Sequence, residues 1–285
     1  YKRQGVYVAL MVGATVVIER ASDGAAVAAA VRKNAVTRTG LVPFLMRSLV
    51  DHMERHNVPL PSLEYVIYGG EPIDGPFLMR CHERMGCKLI QGYGMTETLS
   101  AITMLGPDDH GHPERVGTAG KVVPGFDLRI EAKDGHSCVA GERGEVLVRT
   151  PTLMLGYYGD PERTAEVMQD GWYRTGDIGY LDEDGYLMLV DRKNNLVITG
   201  GENVYPSEVM RCIRAMGDAV ADVAVVGVPD DYWGESLAAF VVRSPGAQLD
   251  EEAVSAWCRE RLGAYKRPRR VMFVDSLRRN PSGKI

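Results

Sequence analysis

Gln91-Gly92-Tyr93-Gly94-Met95-Thr96-Glu97-Thr98 is the stretch on which the reading of this chain turns. The apolar run Lys88–Gln91 leading into it has the make-up of a strand, so the octet falls at the carboxyl end of that strand, where open α/β folds bind ligands. Gly92 and Gly94 allow a ligand to approach the backbone. Tyr93 offers a flat stacking face and Thr96 a hydroxyl donor. Glu97 adds one hard oxygen, which suits Mg²⁺ shared with phosphates better than an all-protein cage. The same eight residues also read as a glycine turn capped by Thr and Glu. Alone, the octet does not choose between the two.

Outward from the octet, strands and helices alternate. Val6–Leu10 and Thr15–Ile18 read as strands, Ala25–Asn34 as an Ala-rich helix, Thr39–Val42 as a short strand, and Phe44–His56 as a helix entered through Pro43. Leu63–Tyr68 reads as a strand running into Gly69-Gly70, and Pro76–Met85 as a helix. Alternation of this kind predicts a mostly parallel sheet, an α/β lobe over residues 1–115. From Val116 the texture changes to short β-runs (Leu128–Glu131, Gly144–Arg149, Tyr186–Val190) broken by Asp134-Gly135 and Asp184-Gly185 turns. That predicts a small β-barrel or sandwich over residues 116–191. Beyond Arg192, a helix at Pro206–Met216, strands at Val220–Val228 and Leu237–Val242, a helix at Asp250–Leu262 and a strand at Val271–Val274 predict a compact α+β module over residues 192–285.

Composition narrows the function classes. The chain has 285 residues, 45% apolar and 25% charged, enough for a sizeable core and far from disordered or collagen-like composition. Lys and Arg number 33 against 38 Asp and Glu, net −5, which argues against a nucleic-acid protein with a basic surface. No apolar run reaches the ~18 residues of a membrane span; Val6–Ile18 is short and broken by Gly13. The five cysteines are odd in number and form no CxxC pair, which disfavours a disulfide scaffold and fits a reducing cytoplasm. Tyr1 in place of Met and the abrupt stop at Ile285 lead us to expect that both ends are cut.

Four further motifs follow the octet: Tyr173-Arg174-Thr175-Gly176-Asp177, Asp191-Arg192-Lys193, Thr199-Gly200-Gly201-Glu202-Asn203 and Asn280-Pro281-Ser282-Gly283-Lys284-Ile285. In this order they resemble the adenylate-forming superfamily of acyl-CoA synthetases, adenylation domains and luciferases, over essentially the whole chain. The resemblance implies a parallel-sheet lobe with a small β-barrel, followed by a mobile α+β domain. It also implies a reaction in which a carboxylate attacks the α-phosphorus of ATP, pyrophosphate leaves, and a thiol, usually coenzyme A, then displaces AMP. Carried onto this sequence, Gly69, Gly70, Glu71 and Pro72 with Gln91, Gly92, Tyr93 and Gly94 would flank the nucleotide. Thr96 would bond the α-phosphate, Glu97 would bind Mg²⁺, and Asp177 would hold the ribose with Arg192 assisting. Lys284 would be the adenylation lysine. Asn194 would be the hinge, where the family usually has Asp or Lys, and Gly200 and Gly201 would line a pantetheine tunnel. Nucleotidyl transfer depends mainly on positioning and charge neutralisation, so a metal and a compact ammonium are the parts expected of such a site.

Within that family, Gly200 to Pro206 looks most like the fatty- or aryl-acid CoA ligases. Tyr68, Met95 and Leu99 give the expectation of an apolar pocket for a medium or long aliphatic, or an aromatic, acid. An adenylating enzyme whose acceptor is an acyl or peptidyl carrier protein or an amine remains open, as does a non-catalytic nucleotide-binding fragment. The family's Gly- and hydroxyl-rich phosphate loop has no counterpart between Tyr1 and Gly69, so the upstream lobe is expected to be missing and the chain alone to adenylate poorly. Nine cations between Arg259 and Lys284 read as a solvated basic face or as a surface for the phosphates of coenzyme A or an acidic carrier. His110 and His112 read as surface histidines, Cys212 and Cys258 as core, and Trp172 as packing.

Overall fold

Strand–helix alternation in the first third of the chain builds a sheet of five strands in the order β1 (Arg38–Leu41), β2 (Tyr65–Tyr68), β3 (Lys88–Gly94), β4 (Ala101–Leu105) and β5 (Lys121–Val122) in the computed structural model, which describes residues 3–20, 23–70, 73 and 75–279. β1, β2 and β3 are parallel, with Tyr65 opposite Lys88 and Tyr68 opposite Gln91. β4 and β5 then run antiparallel. The reversal follows from chain length: only Met95–Ser100 link β3 to β4, too few for the crossover a parallel partner needs.

The helices are α1 (Arg3–Met11), α2 (Gly24–Asn34), α3 (Pro43–His56) and α4 (Gly75–Met85). Asp23 caps α2 by accepting from the Ala26 N–H at 2.9 Å. α3 starts at Pro43, where a missing N–H costs nothing, and ends at Asn57 in the left-handed region. Met46, Leu49, Val50 and Met53 recur at helical spacing and are fully buried, each contributing about 1.5–3 kcal/mol of transfer free energy. They meet Phe77, Leu78, Cys81 and Met85 of α4 and Val66, Tyr68 and Leu89 of the sheet in one core.

The strands expected at Val6–Leu10 and Thr15–Ile18 are not formed. Val6–Leu10 lies in α1, and Thr15–Ile18 has no regular structure. β-branched residues prefer strands only where a neighbour pairs with them and covers their side chains. Among the described residues no strand pairs with this segment, and Tyr7, Val8, Leu10, Met11 and Ile18 are exposed.

The next region forms a second sheet in the order β10 (Leu187–Arg192), β9 (Trp172–Leu181), β7 (Gly144–Arg149) and β6 (Asp127–Glu131), with β8 (Met168–Gln169) on β9 and α5 (Pro161–Val167) alongside β8 in sequence. No pair closes it into a ring among the described residues. Its core is Ile130, Val146, Val148, Tyr173 and Leu187. Trp172 packs as expected, its ring under the Arg129 and Arg149 guanidiniums at 4.4 and 5.0 Å.

Contacts between Cα atoms group the chain into two units, Tyr1–Thr175 with Tyr180–Leu189, and Gly176–Gly179 with Val190–Ile285. The second unit carries the sheet β12 (Glu202–Val204), β11 (Val197–Thr199), β14 (Gly234–Arg243) and β13 (Val220–Asp230), with β15 (Arg270–Phe273) parallel to β14. Helices α6 (Pro206–Arg214) and α7 (Glu251–Arg261) enclose a core of Val209, Ile213, Val225, Leu237, Val241 and Val254. Cys258 is fully buried there, with Cys212 half-buried beside that core.

Candidate functional site

The first four residues of the octet complete β3, and the last three wind into a single 3-10 turn at Thr96–Thr98. Two glycines here, one in the octet and one just past β2, are dictated by backbone crowding. A Cβ on Gly69, just past β2, would lie 2.2 Å from the Gly92 carbonyl oxygen, and one on Gly94 would lie 2.3 Å from that of Ser100. Gly70 adopts φ +91°. Glu71 and Pro72 lie outside the described residues.

The turn is held from within. Thr98, fully buried, accepts from the Met95 N–H at 3.3 Å, and its hydroxyl lies 2.9 Å from the Ser100 carbonyl and 3.1 Å from that of Met95. Leu99 takes φ +62°, a conformation that costs a side-chain-bearing residue about 1–3 kcal/mol and that is locked by its N–H donating to Thr96 at 3.1 Å. This turn leaves Thr96 exposed and Glu97 half-buried.

Glu97 is anchored by a segment that sequence reasoning missed. The Met154 N–H donates to the Glu97 carbonyl at 2.7 Å, and the Thr152 hydroxyl to that of Thr98 at 2.7 Å. The Tyr157 hydroxyl donates to Glu97 Oε1 at 3.1 Å and lies 3.3 Å from the Tyr173 hydroxyl. Since Tyr157 spends its proton on the carboxylate, Tyr173 is the donor to Tyr157, and a relay runs from buried β9 to Glu97. One carboxylate oxygen is thereby fixed. Oε2 has no protein partner among the described residues. The available signal was Gly156-Tyr157-Tyr158-Gly159, an aromatic pair between two glycines with positive φ.

Of the residues expected around an acyl pocket, Met95 is half-buried against the Ile102, Val148 and Tyr173 cluster, and Leu99 is exposed. Tyr93 is half-buried between that cluster and the one around Leu187. Tyr68 is a core residue, 2% exposed, whose hydroxyl lies 2.9 Å from His110 Nε2. His110 therefore corrects the surface reading: it is 8% exposed, its Nδ1 2.7 Å from the Gly106 carbonyl. A carbonyl only accepts, so Nδ1 carries the proton and Nε2 accepts from Tyr68. Burial holds its pKa below the ordinary imidazole value, and burial likewise pushes the Tyr68 hydroxyl upward. Local sequence gave no sign of this, because Tyr68 and His110 are 42 residues apart. His112 is exposed, as expected. Gln91 Oε1 is buried with no hydrogen-bond partner among the described residues.

In the second unit, Asp177 is 7% exposed and pairs with Arg192, Nε to Oδ1 at 3.2 Å. Asp191 anchors the following turn, accepting from the Arg192 N–H at 2.7 Å, the Asn195 amide at 2.9 Å and the Ser207 N–H at 2.9 Å. Asn194 is exposed in the centre of a 3-10 turn, Lys193–Asn195. Gly200 and Gly201 take φ +58° and +85°; a Cβ on Gly200 would lie 2.5 Å from the Trp233 ring. Much of the basic tail is engaged within this unit. Lys266 pairs with Glu208, Arg279 with Asp222, Arg269 lies over Trp233, and Arg267 donates to carbonyls at the end of α7. Lys284 lies outside the described residues. No helix among the described residues is long and apolar enough to cross a membrane.

Comparison with known proteins adds an independent observation. Residues 1–158 match the family model described as AMP-binding enzyme, and residues 215–284 that of the AMP-binding enzyme C-terminal domain. A feruloyl-CoA synthase from Amycolatopsis sp is 40% identical over 279 residues, 97% of this chain and 55% of the relative. An amide bond synthetase from Marinactinospora thermotolerans superposes with a TM-score of 0.89 at 40% identity, over 96% of this chain and 55% of that one. The o-succinylbenzoate CoA synthetase of Bacillus subtilis, solved with ATP and magnesium ion, superposes with a TM-score of 0.85 at 33% identity, over 99% of this chain and 57% of that one. The chain thus spans about half the length of the relatives it matches.

Proposed function

The chain belongs to the AMP-binding enzyme family, and from that premise we propose that it serves an ATP-dependent carboxylic acid–CoA ligase. The acid is activated as its adenylate with loss of pyrophosphate, and coenzyme A then takes the acyl group with release of AMP. The observation that carries the reading is the Glu97 carboxylate, held at Oε1 by the Tyr173–Tyr157 relay and presented beside the exposed Thr96 at the carboxyl end of β3. A single fixed carboxylate oxygen donor suits Mg²⁺, which keeps most of its shell for water and phosphate oxygens. Glu97 would hold that Mg²⁺, whose chemistry is neutralisation of phosphate charge.

The chain's own residues supply the rest. Thr96 donates its hydroxyl to the α-phosphate. Gly69, Gly70, Gly92 and Gly94, with Tyr93, flank the base, and the buried Gln91 Oε1, without a partner among the described residues, is an acceptor suited to an amino group of the nucleotide. The carboxylate of Asp177, oriented by Arg192, takes the ribose hydroxyls. Gly200 and Gly201 line the path of pantetheine, Asn194 is the hinge, and Lys284 bridges carboxylate and phosphate oxygens. Met95 and Leu99 border an apolar acyl group, and the aryl-acid relatives favour an aromatic acid. Five free cysteines support a reducing, cytoplasmic setting.

Calorimetric titration of the 285-residue chain with ATP, with and without Mg²⁺, tests the nucleotide site. Mg²⁺ should tighten ATP binding in the wild type and not in Glu97→Gln; equal tightening in both would refute the role of Glu97. In the full-length protein, AMP release should require both the acid and coenzyme A. The amide bond synthetase neighbour favours a second reading, in which an amine is the acceptor. AMP release that depends on an amine and ignores coenzyme A would select it.

A further inference from the structure

A second polar cluster lies on the hairpin between β6 and β7, built from residues that the nucleotide-site reading does not use. Two tight turns bring its members together. In the first, Gly135 donates to the Ala132 carbonyl at 3.0 Å with φ +91°, and Ala132 donates back to His136 at 3.0 Å. In the second, Glu142 donates to the Val139 carbonyl at 3.0 Å, next to Gly141 at φ +82°. Between them Cys138 donates to Ile130 at 2.9 Å, and its Sγ sits so close to Gly144 that a Cβ there would come within 2.9 Å of it. The backbone bonds of the two turns thus bring the segments bearing His136, Cys138 and Glu142 side by side, and His136 pairs directly with Glu142.

The donor set has the chemistry of a borderline-soft divalent cation. A ring nitrogen of His136, Cys138 Sγ and a carboxylate oxygen of Glu142 all lie within 4.8 Å of one another. Ligands placed at about 2.0–2.3 Å around tetrahedral Zn²⁺ stand roughly 3.3–3.8 Å apart, a spacing compatible with donor atoms that all lie within 4.8 Å of one another. His136 Nε2 faces Glu142 Oε1 at 2.9 Å, while its Nδ1 lies 2.6 Å from Asp134 Oδ1. A carboxylate on the far ring nitrogen is the arrangement that orients a metal-binding imidazole and raises its basicity. Glu142 Oε2 is steadied by the Val139 N–H at 3.1 Å. A thiol and an imidazole disfavour Mg²⁺, which selects all-oxygen surroundings.

We infer that His136, Cys138 and Glu142 form a site for Zn²⁺ or a cation of the same class, with Asp134 orienting His136 and solvent completing the tetrahedron. On binding, the Cys138 thiol proton and any proton on Nε2 pass to solvent, and the bound ion ties the two turns together. The site is independent of the ligase reading.

The test is titration of the metal-free 285-residue chain with Co²⁺, followed by Zn²⁺. One equivalent of Co²⁺ should bind with a thiolate-to-cobalt charge-transfer band that Zn²⁺ abolishes. Cys138→Ser and His136→Ala should each lack the band while keeping wild-type circular dichroism. Asp134→Asn should keep the band and lose affinity by about 10–100-fold, the usual effect of removing such an orienting carboxylate. A cation held only by oxygens at Glu97 gives no charge-transfer band, so the outcome is blind to success or failure of the nucleotide site. Absence of a thiolate-to-cobalt band at saturating Co²⁺, or a band that survives in Cys138→Ser, overturns the inference.

Discussion

Replacing Tyr68 by Phe separates two roles for that residue, a pocket wall and a core strut. The substitution keeps the ring and removes only the hydroxyl that donates to His110 Nε2 at 2.9 Å. Tyr68 and His110 are 2% and 8% exposed, so water does not readily replace the bond. A net hydrogen bond contributes about 0.5–1.5 kcal/mol, and leaving a buried acceptor unmatched raises the cost to about 1–3 kcal/mol. For a folding unit of this size, each kcal/mol moves the melting temperature by about 2–4 °C. Tyr68→Phe is therefore expected to melt about 2–12 °C lower by circular dichroism. In a double-mutant cycle with His110→Phe, the coupling should be about 0.5–1.5 kcal/mol. The pH dependence has a defined sign. Burial holds the folded His110 below its ordinary value of 6.5, so the unfolded chain takes up the proton first as pH falls. The contribution is complete above about 6.5 and declines from there towards the lower folded value. Removing the hydroxyl that supports the neutral ring should make this decline shallower. An unchanged melting temperature with an altered acid preference in the full-length protein would refute the core placement, as would zero coupling in the cycle.

Gly69→Ala should destabilise the first unit by about 1–3 kcal/mol or more, because its Cβ would press on the Gly92 backbone oxygen; Gly111→Ala, with open space around it, should stay within about 0.5 kcal/mol of wild type. Chemical denaturation of both variants checks the contrast, and equal effects would contradict the crowding at β2–β3. Gly200→Ala should destabilise the second unit through its φ of +58° and the Trp233 ring, with part of the loss recovered in a Trp233→Ala background; simple additivity would exclude the ring contact. Leu237→Ala should cost about 2–5 kcal/mol by leaving a cavity in a fully buried position of β14, and a smaller loss would mean that the sheet collapses onto the space.

Regular elements with a complete local code were readable in advance. α3 has Pro at its start, an apolar stripe through Met46, Leu49, Val50 and Met53, and basic residues in its last turn, and its boundaries match the expectation to one residue. The expected strands and helices of the last hundred residues also fall within two residues of the observed ones, apart from the start of β14, which begins three residues early at Gly234. Val6–Leu10 failed because β-propensity is a statement about neighbours, and the described residues provide none there. The octet was legible as a glycine-rich turn at a strand end, since φ/ψ preferences and strand periodicity act over a few residues.

What the sequence by itself determined, then, is the alternation that makes the parallel half of the first sheet, the turn chemistry of the second, the α+β pattern of the third, and the short motifs bearing Thr96, Glu97, Asp177 and Gly200-Gly201. Only the tertiary structure decided which groups those motifs meet. Glu97 is held by Tyr157, 60 residues away; Tyr68 is buried against His110; Gly69 is required by the Gly92 carbonyl; and Gly200 is required by Trp233. Backbone propensity and side-chain period are local and are written in consecutive residues. Hydrogen-bond partners, steric exclusion and the desolvation that lowers the His110 pKa arise between segments far apart in the chain, and exist only once the sheets have brought those segments together.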